Sequence, residues 1–262
     1  EDSYGNLWVG TDGDGLHTLD RKTGQFTRYT YNHAKPNQLS RTNSKGGYDH
    51  ITFITEDADK KIWIGTLLNG IVRYDPISKQ VTHYGSDDEK KLLKDSTSWC
   101  ANATPDGFLW ISTEEANLFK IDIYNTTIPF FGNTFSNAAT ATASMYAFNE
   151  EDDSILWIGT DSGLIRKDLK NSTSHRYINE PHNLNSLSNN EVFDILKDTA
   201  GNFWLGTNSG LNYFNPKTGK FTRYYPDSIN KTSASNYIWK FCRGNNSNIW
   251  LGSYGGGLYL FN

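Results

Sequence analysis

The sequence predicts an all-β fold made of repeated small sheets, and three observations lead to it. A Trp-centred hexapeptide recurs six times, apolar and polar residues alternate in several short segments, and no stretch carries a sustained helical period. The hexapeptides are NLWVGT at 6–11, KIWIGT at 61–66, FLWIST at 108–113, ILWIGT at 155–160, NFWLGT at 202–207 and NIWLGS at 248–253. Their tryptophans, which are Trp8, Trp63, Trp110, Trp157, Trp204 and Trp250, lie 55, 47, 47, 47 and 46 residues apart. The near-constant spacing indicates one structural unit for each Trp.

Each unit reads as four short strands, which we label a to d in chain order. Strand a begins about twelve residues before the Trp, as in ITFI at 51–54, and strand b contains the Trp. Strand c carries an apolar residue seven or eight positions after the Trp, and strand d carries an aromatic residue about twenty positions after it, as in FTRY at 221–224. Polar, Gly-rich turns separate the strands. Four strands in about 47 residues are the unit of a β-propeller blade.

The sequence therefore predicts a single β-propeller domain over residues 1–262, with about six recognisable blades. The predicted units are 1–36, 48–85, 95–132, 143–178, 190–225 and 236–262. The first unit lacks strand a and the last lacks strand d, which favours a fragment of a larger propeller. We expect the six motif tryptophans to form the repeat core between neighbouring blades. The Gly two positions after the Trp is expected to let a neighbouring strand approach closely.

The repeat resembles the two-component regulator propeller repeat. That pattern runs D-x-x-G-x-L-W-[IV]-G-T, then G-L-x-x-[YF]-[DN], then G-x-F-x-x-Y, and it appears here as DSYGNLWVGT, GLHTLD and GQFTRY, and again as DTAGNFWLGT, GLNYFN and GKFTRY. The third unit departs most, because Thr104 and Ser112 replace the expected Asp and Gly. The resemblance covers nearly the whole chain.

The resemblance implies an extracytoplasmic, periplasmic sensor region of a membrane-anchored hybrid histidine kinase. It implies an oligosaccharide or other small extracellular ligand, control of glycan utilisation, and a homodimeric receptor. A second module, a transmembrane helix and the kinase would follow in the full protein. Two alternatives stay open: a scaffold or dimerisation propeller that binds no small ligand, and a propeller lyase.

Composition excludes several other function classes. The chain has 25 Lys and Arg against 29 Asp and Glu, so its net charge of −4 does not favour nucleic-acid binding. No apolar run approaches the roughly 18 residues of a membrane span, so we expect no membrane contact by this chain. Its two cysteines, Cys100 and Cys242, fall in strand a of two different units and are expected to be small buried side chains rather than a disulfide.

We expect no catalytic residue, no metal and no cofactor. The six histidines share no repeat phase and no metal-ligand spacing. The lyase alternative needs a clustered acid–base pair, and the sequence shows no distinct His–Glu constellation.

The candidate ligand-binding residues come from loops expected at one face of the propeller. The fourth residue after each Trp falls in the b–c loop, and five of these six positions are polar or aromatic: Asp12, Glu114, Asp161, Asn208 and Tyr254. Such side chains supply donors and acceptors to hydroxyl groups and rings that stack on sugars. Ordinary turn chemistry explains the same residues equally well.

Four further candidates come from strand a and from the loop before it. Trp99 and Trp239 lie eleven residues before a motif Trp, a phase also occupied by bulky Tyr146 and Phe193. Sugar stacking and repeat packing both remain open for them. Arg41 and Tyr48 lie in the first d–a loop, roughly 30–49, which is about eight residues longer than the other d–a loops and so marks a candidate functional loop.

Overall fold

A computed structural model of the chain describes residues 1–29, 50–67, 70–84, 98–113, 118–125, 144–152, 154–244 and 248–262. These residues form six antiparallel sheets of three or four strands and one short 3-10 helix, Ala234–Asn236. The prediction of an all-β fold with six repeated sheets is therefore confirmed. The chain divides by its internal contacts into an N-terminal unit, Glu1–Thr142, and a C-terminal unit, Ala143–Asn262. That residues 1–262 form a single domain stays a prediction.

The N-terminal unit contains three sheets, in which strands adjacent in sequence pair with one another. Sheet 1 has the order β1-β2-β3, sheet 2 has β4-β5-β6-β7 and sheet 3 has β8-β9-β10. The strands are β1 (Leu7–Gly10), β2 (Leu16–Leu19), β3 (Phe26–Tyr29), β4 (Ile51–Glu56), β5 (Ile62–Thr66), β6 (Ile71–Tyr74), β7 (Val81–Tyr84), β8 (Ser98–Ala103), β9 (Phe108–Thr113) and β10 (Leu118–Asp122). The segment expected as strand d of the third unit lies outside the described residues.

The C-terminal unit contains the other three sheets. Sheet 4 has the order β11-β12-β13-β14, sheet 5 has β15-β16-β17-β18 and sheet 6 has β19-β20-β21. The strands are β11 (Met145–Asp152), β12 (Ile155–Thr160), β13 (Gly163–Asp168), β14 (Thr173–Tyr177), β15 (Val192–Lys197), β16 (Phe203–Thr207), β17 (Gly210–Asn215), β18 (Lys220–Tyr224), β19 (Ile238–Arg243), β20 (Ile249–Ser253) and β21 (Gly257–Phe261). As predicted, within the described residues the first sheet has no strand a and the last has no strand d.

An aspartate builds the turn between strands a and b and fixes it to the motif Trp. In sheet 2 the Asp57 carboxylate accepts the backbone N–H groups of Asp59 and Lys61, both at 2.9 Å, and the Trp63 indole N–H at 2.7 Å. In sheet 1 the carboxylate of Asp2 accepts the indole N–H of Trp8 at 2.8 Å. The first residue of the repeat thus satisfies the one polar atom of the Trp side chain, which lets the ring be buried.

Within each unit, the motif tryptophans of sheets 1, 2, 4 and 5 pack against the next sheet in the chain. Trp157 is fully buried and packs against Phe203 and Phe214 of sheet 5, with ring centroids 4.9 and 5.5 Å away. Trp63 and Trp110 are also buried. Trp8 and Trp204 are half-buried, and Trp204 packs on Phe261 of sheet 6.

Trp250 departs from the predicted core role, because 40% of its side chain is exposed. Its face of sheet 6 has no later sheet packed on it within the described residues. Cys242 and Leu260 flank Trp250 on the neighbouring strands and are exposed as well. The expectation of a buried Cys242 is therefore wrong, whereas Cys100 is buried as expected, and neither cysteine forms a disulfide within the described residues.

The Gly after the Trp provides the predicted close approach. A Cβ on Gly159 would lie 2.6 Å from the carbonyl oxygen of Val192, and one on Gly206 would lie 2.8 Å from that of Ile238. Both carbonyls belong to strand a of the following sheet. Strand a of sheets 5 and 6 therefore lies close against strand b of the preceding sheet.

Candidate functional site

A β-bulge lies near the start of strand a in each of the three sheets of the C-terminal unit. The pairing register shifts between Met145 and Ala147, between Val192 and Asp194, and between Ile238 and Lys240. The residues at the three shifts are Tyr146, Phe193 and Trp239. Bulges redirect a side chain, and they are common beside functional sites.

A backbone hydrogen bond ties each b–c loop to the start of strand a in the same sheet. Asp161 donates its N–H to the carbonyl of Ser144 at 3.2 Å, Asn208 donates to Glu191 at 3.2 Å, and Tyr254 donates to Tyr237 at 2.9 Å. We call these three bonds the loop clamps. The accepting residue lies two positions before the bulge in each case. In each sheet the clamp therefore brings three residues close together: the b–c loop residue that donates, the residue at the start of strand a that accepts, and the bulge residue two positions later.

The aromatic side chains of these three sheets form one cluster. We define the aromatic cluster as Tyr146, Phe193, Tyr237, Trp239 and Tyr254. Phe193 is buried at its base, with centroids 4.7 Å from Trp239, 4.8 Å from Tyr237 and 5.2 Å from Tyr146. Tyr254 lies 5.3 Å from Tyr237 and 6.4 Å from Trp239. Trp239 and Tyr254 are 43% and 72% exposed, so the cluster presents aromatic surface to solvent.

Two carboxylates and an amide accompany the cluster. Asp161 accepts the Ser144 N–H at 3.1 Å and the Ser162 hydroxyl at 2.8 Å. The side-chain amide of Asn208 donates to the carboxylate of Glu191. All of these donors are neutral, so they orient the two carboxylates without cancelling their charge. We call the aromatic cluster together with Asp161, Glu191 and Asn208 the aromatic–carboxylate site.

The carboxylates act electrostatically on the cluster phenols. Burial raises the pKa of Tyr146, and the negative charges of Asp161 and Glu191 raise it further. Burial and the charge of Glu191 likewise raise the pKa of Tyr237. Both phenols therefore keep their protons at neutral pH and can donate hydrogen bonds.

A neighbouring lysine is engaged in an ion pair. Lys240 lies 3.2 Å from Asp194 and donates to the carbonyl of Phe193 at 3.3 Å. Asp194 also accepts the N–H of Phe241 at 2.9 Å. Burial raises the pKa of Asp194, and the Lys240 charge opposes that effect. The pair joins strand a of sheet 5 to strand a of sheet 6 and compensates the Lys240 charge beside the cluster.

The structure brings four of the nine predicted ligand-binding residues together. Asp161, Asn208, Tyr254 and Trp239 all belong to the aromatic–carboxylate site. The Trp239 ring packs on its neighbours and is also exposed, so repeat packing is observed and sugar stacking stays a prediction. Glu114, Arg41 and Tyr48 lie outside the described residues, as does the side chain of Trp99, whose backbone belongs to β8.

Asp12 lies in the N-terminal unit and makes a different contact. It is almost fully exposed in the β1–β2 loop and forms a hydrogen bond with the ring of His50, which precedes β4. The nearby Asp14 pairs with Arg28 at 2.6 Å and lies 3.2 Å from His17. Asp12 therefore lies in a group of polar side chains that contact one another rather than in the aromatic cluster.

Glu191, Tyr237, Tyr146 and Phe193 complete the site, although the sequence did not single them out as ligand-binding residues. Tyr146 and Phe193 share the phase of Trp239, so the recurrence of bulky residues at that phase was the available signal. Glu191 and Tyr237 stand two positions before the bulge. Their role depends on the loop clamps, which no short sequence pattern reveals.

Two negative findings apply to the described residues. No group of three or more His, Cys, Asp or Glu side chains is arranged there to hold a metal ion. No helix in this part of the chain has the length and apolar character needed to cross a membrane.

Solved structures share this architecture. The chain resembles a structure described as the extracellular domain of a hybrid two-component system, BT3049, from B. thetaiotaomicron, with a TM-score of 0.73, 22% identity, and coverage of 97% of this chain and 31% of that one. It also resembles PorZ, an essential bacterial surface component of the type-IX secretion system of Porphyromonas gingivalis, with a TM-score of 0.72, 18% identity, and coverage of 98% and 37%. The extracellular domain of a one-component system, BT4673, from B. thetaiotaomicron gives a TM-score of 0.57, 19% identity, and coverage of 98% and 38%.

The chain spans about a third of the length of these solved chains. At this level of identity the similarity shows the fold, which is that of propeller-type domains. No protein of curated function matches the sequence.

A family model matches one segment of the chain directly. Residues 186–209 match the two-component regulator propeller. This segment contains Glu191, Phe193, Trp204 and Asn208, and so it includes both part of the repeat core and part of the aromatic–carboxylate site. Residues 186–209 are therefore a repeat of the two-component regulator propeller family, in a chain that has a β-propeller fold.

Proposed function

We propose that the chain is the ligand-sensing propeller of a two-component receptor and that it binds an oligosaccharide at the aromatic–carboxylate site. The observation that carries the proposal is the exposed aromatic surface of Trp239 and Tyr254 beside oriented carboxylates. Sugar rings have apolar faces that stack on aromatic side chains, and their hydroxyl groups need matched acceptors and donors. Asp161 and Glu191 supply acceptors, while the phenols and the Asn208 amide supply donors.

The receptor context in this proposal comes from the relatives. The family match and the extracellular domains of two-component systems support a position outside the cytoplasm, in the periplasm, and a histidine kinase elsewhere in the full protein. A homodimeric receptor and control of glycan utilisation are part of the same proposal. Ligand binding would act by favouring one of two receptor arrangements.

A thermal-shift screen against neutral oligosaccharides tests the proposal. A ligand at about 100 times its dissociation constant adds roughly 2.7 kcal/mol to the stability of the folded state. We expect a dose-dependent rise in melting temperature with one class of glycan. A cooperative melt that no glycan moves would contradict glycan sensing by this chain.

Substitutions then assign the binding to this site. Trp239→Ala should weaken glycan binding by about 1–3 kcal/mol, since it removes a stacking surface. Trp250→Ala is the matched control, because its Trp is exposed to a similar extent but lies outside the site. Asp161→Ala and Asn208→Ala should also weaken binding without unfolding the protein. Unchanged affinity in Trp239→Ala, Asp161→Ala and Asn208→Ala would exclude this site.

A structural role is the second candidate, and the similarity to PorZ favours it, since PorZ is a component of a secretion machinery. In that case the propeller would mediate assembly, and no glycan would bind. Concentration-dependent dimers in light scattering, unaffected by any glycan, would support this alternative.

In the proposed function the chain binds its ligand and does not convert it chemically. We therefore propose that it is not an enzyme and needs no cofactor. Any glycan that shifts the melt should be recovered intact after prolonged incubation. Its cleavage would instead support the lyase alternative.

A further inference from the structure

The aromatic–carboxylate site contains two carboxylates whose hydrogen-bond partners among the described residues are all uncharged. Asp161 is held by a backbone N–H and a serine hydroxyl, and Glu191 by the Asn208 amide. These partners bear no charge. The nearby Lys240 is engaged with Asp194, and its ammonium also contacts a backbone carbonyl. A ligand entering the site therefore meets two carboxylates that are held by uncharged partners.

The aromatic faces add to the attraction for a cation. A ring carries negative potential on its face, so ammonium groups bind favourably over Trp and Tyr. The rings of Tyr237 and Trp239 are nearly parallel and stacked, with an interplanar angle of 14° and centroids 5.9 Å apart, and Tyr254 lies beside them. Three rings and two carboxylates are a combination that suits a positively charged group attached to a stacking body.

We infer that the aromatic–carboxylate site prefers glycans that carry free ammonium groups, such as oligomers of glucosamine, over neutral or acidic glycans. This inference rests on the proposed function, because it names the class of sugar that the same site selects. Acidic glycans, which carry uronate or sulfate groups, would place like charges beside Asp161 and Glu191 and are disfavoured.

Isothermal titration calorimetry of the full chain with four probes tests the inference. The probes are a glucosamine oligomer, the N-acetylglucosamine oligomer of the same linkage and length, a galacturonate oligomer, and spermidine, which has the charge but no sugar ring. At a mildly acidic pH, where the amines are protonated, the glucosamine oligomer should bind roughly five- to tenfold more tightly than its N-acetyl counterpart. The galacturonate oligomer and spermidine should bind more weakly than either.

Variants connect the preference to the two carboxylates. Glu191→Gln and Asp161→Asn keep the side-chain shape and remove one carboxylate each. The ratio of the affinity for the glucosamine oligomer to the affinity for the N-acetylglucosamine oligomer should therefore fall toward one. Asp168→Asn is the matched control. It removes a charge at the opposite end of β13, where the equivalent position of sheet 5 is already an asparagine, Asn215. The ratio should stay unchanged in this control.

The outcomes separate the two claims. Equal binding of the amine and N-acetyl oligomers, or tighter binding of the galacturonate oligomer, would overturn the inference while leaving glycan sensing in place. A preference that survives both Glu191→Gln and Asp161→Asn would also overturn it. Binding of spermidine with no binding of any glycan would overturn both the inference and the proposed function, as would the absence of binding by all probes and neutral glycans.

Discussion

Trp157 and Trp250 occupy the same position of the repeat in different surroundings. Trp157 is fully buried, packs on two phenylalanines of sheet 5 and donates its indole N–H to Glu151 at 2.8 Å. Trp250 is 40% exposed, and Gly244 stands where sheets 1, 2 and 4 have the carboxylate that accepts the indole N–H. Tryptophans at the same position of the repeat are therefore not expected to contribute equally to the free energy of unfolding.

The difference predicts unequal costs of truncation. Trp157→Ala should lower the free energy of unfolding by about 3–5 kcal/mol, because it removes a large buried side chain. Trp250→Ala should cost about 1 kcal/mol or less, since its ring already contacts water. Urea denaturation followed by circular dichroism measures both. Trp157→Phe, which keeps a ring but loses the bond to Glu151, should give an intermediate loss if the Ala variant does not fold. Equal losses in Trp157→Ala and Trp250→Ala would contradict this account of the repeat core.

At the scale of elements, the turn between strands a and b depends on one carboxylate. Asp198 accepts backbone N–H groups from Ala200 and Asn202, both at 2.8 Å, and the hydroxyl of Tyr213 at 2.8 Å. Burial alone would raise the pKa of Asp198, but these hydrogen bonds outweigh it and hold the pKa below its usual value. The same balance lowers the pKa of Asp2 in sheet 1.

Acid should therefore weaken these turns. A carboxyl group whose pKa is lower in the folded state contributes stability at pH values above its unfolded pKa of about 3.9, and this stability is lost as pH falls through the folded value. Asp198→Asn should cost about 1 kcal/mol at neutral pH and should flatten the loss of stability below about pH 4. Asp106→Asn, at an exposed position in the corresponding turn of sheet 3, is the control variant. An unaltered profile in Asp198→Asn would argue against the role of this carboxylate.

The strands and turns could be predicted from sequence, because their signals lie within a few contiguous residues. Alternation in FTRY at 221–224 and the Asp-initiated turns placed β16 to β18 correctly. The bulges at Tyr146, Phe193 and Trp239 could not be predicted, since they are shifts in the pairing of strand a with strand b and have no local sequence signal. The aromatic–carboxylate site combines residues about 47 positions apart, and its completion by Glu191 and Tyr237 requires the loop clamps.

At the scale of the whole molecule, sheets contact mainly their neighbours in sequence. In the C-terminal unit β11 packs beside β15, and β15 packs beside β19. The stability of such repeats is approximately a sum of terms within each repeat and terms between adjacent repeats. A substitution at one interface between sheets should therefore lower the free energy of unfolding by an amount that depends on how closely the neighbouring strand approaches the substituted residue.

Two glycines at the same repeat position test this. Gly159→Ala would place a methyl group 2.6 Å from the Val192 carbonyl oxygen, so sheets 4 and 5 must separate, at a cost of about 1–3 kcal/mol. Gly252→Ala meets only the Lys240 carbonyl oxygen at 3.4 Å, an ordinary contact, and should change stability by less than about 0.5 kcal/mol. Chemical denaturation compares the two variants. If Gly252→Ala lowered the free energy of unfolding more than Gly159→Ala, the distance between neighbouring strands would not determine the cost of these substitutions.

The loop clamps have a consequence for how such a protein can diversify. Each clamp uses only backbone atoms, yet the loop residues that it holds in equivalent places are a carboxylate, an amide and a phenol, at Asp161, Asn208 and Tyr254. The scaffold therefore tolerates different chemistry at these positions without changing its geometry. Single substitutions at the clamped positions can alter ligand preference while the fold persists, so evolution or a protein engineer can redirect such a propeller to new ligands one side chain at a time.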